Sequence, residues 1–180
     1  MKTIRSNKKG FGIHSPFVYN LVTNVLFVEP VFYVFHEIEK LNRSKQEKDQ
    51  LKLLFRLLNC FQPEMVFFDN SFLNEELTIL QKFNSQTVFN EIHLSELAKL
   101  EKADKLVSHF FICDKIPEYM EREVYKYGKW FFIKKLQDNQ TKTIFKALLE
   151  NENGTILIEL LNLWFVIFDE KFRSQHYVIK

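Results

Sequence analysis

From Met65 onward the apolar residues keep changing period: short apolar runs alternate with longer segments whose apolar positions recur at helical spacing. That alternation is the pattern of βαβ units, in which parallel strands buried on both faces are joined by crossover helices. The chain is therefore read as α/β with a mainly parallel, Rossmann-like sheet. Strands are predicted over 65–69, 87–91, 107–114 and 130–134, and helices over 73–83, 95–103, 117–127 and 141–150. Two further apolar runs, 155–161 and 164–168, follow Asn153-Gly154. They lie too close together for a crossover connection, so they are expected to form a C-terminal antiparallel hairpin.

The part before Met65 reads as helices. Ser15-Pro16 opens the first, serine accepting a free amide hydrogen bond and proline occupying a position that needs no donor, with Phe17, Val18, Leu21, Val22 and Val25 on one face. A second follows Pro30, with Val31, Phe35, Ile38 and Leu41 at helical spacing. Ser44 and Glu47 have capping-box spacing and start a third, which carries Leu51, Leu54, Phe55, Leu58 and Phe61 and is closed by Pro63. With 180 residues, 46% of them hydrophobic, the chain suits one compact domain: a helical extension over 1–62 and a core over 63–180.

Composition excludes more than it assigns. The balance of 25 Lys and Arg against 23 Asp and Glu gives no field that would draw the whole protein to nucleic acid or an anionic membrane. The most apolar stretch, 156–168, is interrupted by Glu159 and Asn162 and is shorter than the roughly 20 residues of a membrane helix, so it reads as buried sheet. No secretion signal is read at the N-terminus. Cys60 and Cys113 lie in apolar stretches without metal-type spacing and are expected to be buried reduced thiols, which points to the cytoplasm. A catalytic role for Cys113 is disfavoured by the neighbouring Asp114. His14, His36, His93, His109 and His176 include no pair at i, i+4, so no metal site is expected and each reads as structural; His93, just past the second strand, is the one worth watching. Lys2, Arg5, Lys8 and Lys9 form a basic arm, and Tyr125, Tyr127 and Trp130 interleave with Lys126 and Lys129. Solvated termini and strand patterning account for both, so nucleic acid is not the expected partner.

The order of elements, together with Gly12-Ile13-His14-Ser15-Pro16-Phe17-Val18-Tyr19, Phe35-His36-Glu37-Ile38-Glu39-Lys40-Leu41 and the closing Lys171-Phe172-Arg173-Ser174-Gln175-His176-Tyr177-Val178-Ile179, resembles a group of bacterial class I S-adenosylmethionine-dependent methyltransferases. The resemblance runs over nearly the whole chain, though the stretch after Arg43 is shorter than in the resembling proteins and one central strand is missing from the pattern. It implies cofactor contacts at Asp69, Asn70 and Ser71 after the first core strand, at Glu91 on the ribose side, and at Asp114. Each is a vestigial candidate here. The turn Asp69-Asn70-Ser71-Phe72-Leu73 lacks the glycines that let a backbone approach a cofactor, and the chain has only four, Gly10, Gly12, Gly128 and Gly154. Where the resembling enzymes carry an Asp-Asp pair, this chain has Lys134-Lys135, which cannot ligate a divalent cation. A lysine of that pair is expected to form an ion pair with Asp114 or Asp69. The leading expectation is a pseudoenzyme with no cofactor, acting on a protein partner as an interaction or regulatory module. The alternative is an active methyltransferase using S-adenosylmethionine in a noncanonical site on an unknown substrate.

Overall fold

The computed structural model describes residues 3–6, 8–28, 32–69, 74–92, 108–113, 129–134, 154–160 and 163–180. Eight strands form one sheet: β1 (Thr3–Ser6), β2 (Met65–Phe68), β3 (Val88–Glu91), β4 (His109–Cys113), β5 (Trp130–Lys134), β6 (Thr155–Glu159), β7 (Leu163–Phe168) and β8 (Gln175–Ile179). Their order across the sheet is β1-β8-β6-β7-β5-β4-β2-β3. Among the described strands only the pairings of β7, with β5 and with β6, are antiparallel, so there β7 alone runs against the others. The chain leaves β2 for β3 on one side and returns to β4 on the other, the chain reversal of a Rossmann-like fold. The four core strands and the closing hairpin thus stand where the apolar runs put them.

The helices obey their local signals. In α1 (Pro16–Leu21) the Ser15 hydroxyl accepts from the Val18 amide, and a π-helical turn, Val22–Leu26, continues the rod. α2 (Tyr33–Lys40) buries Val34 and Ile38. In α3 (Lys45–Phe61) the expected capping box is formed in both directions. Its end is set by Gln62, in the left-handed region at φ 46°, immediately before Pro63. α4 (Asn74–Leu80) runs into a short 3₁₀ turn, Gln81–Phe83. The helices expected over 95–103, 117–127 and 141–150 lie outside the described residues.

The pleat sorts side chains by parity. One face carries Val66, Phe68, Phe110, Ile112, Trp130, Phe132, Phe165, Ile167, Ile156, Ile158 and Tyr177, which make a single core with α1, α2, α3 and α4. On the other face the register aligns one row across the entire sheet: Asn90, Phe67, Phe111, Phe131, Val166, Leu157, His176 and Thr3. Within it Phe67, Phe111 and Phe131 stack at ring separations of 4.9 and 4.7 Å. Every residue of β7 is buried, as a strand interior to a sheet covered on both faces requires.

Two strands are additions to the expected sheet. The basic arm keeps Arg5, Lys8 and Lys9 exposed, as expected of solvated cations, but part of it is a strand: Thr3–Ser6 pairs in parallel with β8. Cys60 corrects a second expectation. Both thiols are free, but Cys60 is exposed, because α3 turns Leu51, Leu54, Phe55, Leu57 and Leu58 inward and leaves position 60 outside. Cys113 is buried, as expected.

Candidate functional site

The reversal of chain order beside β2 defines one candidate rim. Asp69 follows β2 directly and is half-buried; its amide donates to the Ile112 carbonyl at 3.3 Å, while the Ile92 amide donates to the Phe68 carbonyl at 2.9 Å. The backbone of Asp69 is therefore held between β4 and β3, and Glu91, paired with Phe68, stands exposed beside it at the end of the edge strand. The structure thus brings together two of the five expected contacts. Asn70, Ser71 and Asp114 lie outside the described residues, as do His93, Lys135 and the side chain of Lys134, so the expected lysine ion pair lies there too. Among the described residues no group of three His, Cys, Asp or Glu is placed to hold a metal ion. Among them, too, no helix is long and apolar enough to cross a membrane.

A second site was not anticipated. A cleft of about 1030 Å³ opens between α2 and α3, the π-helical turn and the ends of β6, β7 and β8. Leu53 of α3, Leu26 of the π turn, and Leu160, Leu163 and Ile179 at the strand ends supply its apolar lining, joined by Phe27, Phe32 and Phe35. Among the described lining residues the cations are Lys8, Lys45, Lys52, Arg56 and Lys180 and the carboxylates are Glu39 and Asp49. Lys8 sits 5.3 Å from the centre of the Phe27 ring and Lys52 sits 5.8 Å from that of Phe35, so the cations cap an aromatic wall. Lys52 also pairs with Glu39, whose other carboxylate oxygen is 4.0 Å from Lys48. The hydrogen bond and charge of Lys52, with the charges of Lys48 and Lys45, hold the Glu39 carboxyl below its ordinary range.

The cleft and the β2 rim share one end of the sheet but not one place. From β6 to β2 there are four strand spacings, or about 19 Å at roughly 4.8 Å each.

Of the histidines, His176 is buried and joins three strands. Its Nδ1 is 3.1 Å from the Thr3 hydroxyl of β1 and its Nε2 is 3.3 Å from the Glu159 carboxylate of β6. His109 packs edge-on against Phe67 at 5.3 Å. Both readings as structural residues fit this geometry, while His14 is exposed and His36 borders the cleft.

No family model matches the chain, and no curated protein matches it. Among solved structures, a methyltransferase from Geobacter sulfurreducens is similar to it, with 11% sequence identity over 80% of this chain and 92% of that one and a TM-score of 0.45.

Proposed function

We propose that this chain is a divergent methyltransferase-like protein that does not hold S-adenosylmethionine as the enzymes it resembles do, and that it acts as an interaction or regulatory module. The observation carrying this reading is the segment Asp69-Asn70-Ser71-Phe72-Leu73, which leaves the switch point beside β2 without a single glycine. A cofactor's carboxylate and amine need backbone there that comes close without a Cβ. Glycines in the left-handed region occur elsewhere: Gly10 and Gly12 turn the chain from β1 toward α1, and Gly154 opens β6. Of the acidic candidates, Asp69 is half-buried after β2 and Glu91 is exposed at the end of β3.

Titration calorimetry with S-adenosylmethionine and S-adenosylhomocysteine tests the reading, and flat isotherms are expected. A dissociation constant in the low micromolar range, about 8 kcal/mol of binding free energy, would overturn it in favour of an active methyltransferase with an altered cofactor site.

A further inference from the structure

We propose that the cleft between α2, α3 and the ends of β6, β7 and β8 binds a long-chain acyl anion, with the chain on the apolar floor and the carboxylate among the bordering lysines. Its volume of about 1030 Å³ lies at the upper end of ligand pockets, which run to roughly 1,000 Å³. Leu26, Leu163 and Ile179 are packed beneath it at 3%, 3% and 2% exposure, and the half-buried Phe27, Phe32 and Phe35 present the apolar surface that a chain would meet. Leucine, isoleucine and phenylalanine side chains supply the apolar part of the described lining and the exposed Lys8, Glu39, Lys45, Asp49 and Lys180 its outer charged part, the division that an amphiphile with one charged end matches.

Charge complementarity selects the sign of the head. Five cations face two carboxylates among the described lining residues, and one of those carboxylates, Glu39, is already paired with Lys52. Lys8, Lys45 and Lys180 enter no ion pair among the described residues. They are the groups left to meet an incoming carboxylate. The site is independent of the β2 rim, so it stands whether or not S-adenosylmethionine binds.

The test uses the full chain, with palmitate titrated by calorimetry and a fluorescent polyene fatty acid as a displaceable probe. Saturable one-to-one binding is expected, weakening steadily with added salt. Lys8→Glu combined with Lys180→Glu should weaken it roughly tenfold, as attraction at the border becomes repulsion. Both lysines are exposed, and a thermal melt checks that the variant is folded. Hexadecanol, with the same chain and no charge, should bind at least roughly tenfold more weakly. Absence of palmitate binding, equal affinity for hexadecanol, or insensitivity to both salt and charge reversal would overturn the proposal. So would retention on phosphatidylglycerol vesicles without binding of the free acid, which would make the patch a membrane contact.

Discussion

Single residues separate what the turns demand from what they tolerate. Gly154 has φ +62°, and a Cβ built on it would stand 2.2 Å from the Asp169 carbonyl oxygen and 2.5 Å from that of Phe172, both main-chain atoms that cannot swing aside. Gly10, at φ +76°, would meet the Tyr19 ring at 2.8 Å, and that ring is on the surface. Alanine at position 10 should cost about the 1 to 2 kcal/mol of a left-handed residue, and alanine at 154 distinctly more; urea melts of the two variants check the order. Phe165 is fully buried, with its ring 5.5 Å from Phe61 and 5.9 Å from Phe110. Phe165→Ala should lower stability by about 3 to 5 kcal/mol through lost burial and the cavity left behind.

At Asp169, burial pushes the carboxyl up, but hydrogen bonds from the Lys171 amide and Lys129, with the lysine charges, outweigh it and leave the group below its ordinary range. Lys129 lies 3.1 Å away. A depressed carboxylate adds stability that is complete above its unfolded value, about pH 4, and is lost as pH falls through the lower folded value. Asp169→Asn should therefore destabilise the protein at neutral pH and reduce the loss below about pH 4, as read from denaturant midpoints across pH.

Among the elements, legibility followed the strength of local signals. The capping box of α3 and the Ser15-Pro16 start of α1 are contacts within a few residues, so sequence spacing specified them. β6 and β7 were legible because strands buried on both faces carry near-continuous apolar runs, Ile156-Leu157-Ile158 in β6 and all of β7. β1 and β8 were not. Thr-Ile-Arg-Ser and Gln-His-Tyr-Val-Ile are short and mixed, and become strands only because each lies beside a partner distant in sequence. Their weights differ all the same. Tyr177 is fully buried and Ile179 is 2% exposed, whereas β1 presents no fully buried residue. Deleting 175–180 should abolish the cooperative unfolding transition, while deleting 1–6 should leave it in place at a lower midpoint; circular dichroism melts distinguish the two.

For the whole molecule, the rim beside β2 could be read from sequence because strand ends in an open α/β sheet gather at one edge, which brings Asp69 and Glu91 together. The cleft could not be. Its walls come from α2, α3 and three strand ends more than 100 positions further along the chain, and no local pattern announces that they meet. The parallel pairing of β1 with β8 carries a last consequence, for synthesis on the ribosome. Thr3 and His176 touch across 173 positions, so among the described residues β1 has no strand partner until β8 has been synthesised. From the synthesis of β6 until β8 docks, β6 presents an unpaired edge, a row of free amides and carbonyls open to pairing with another chain.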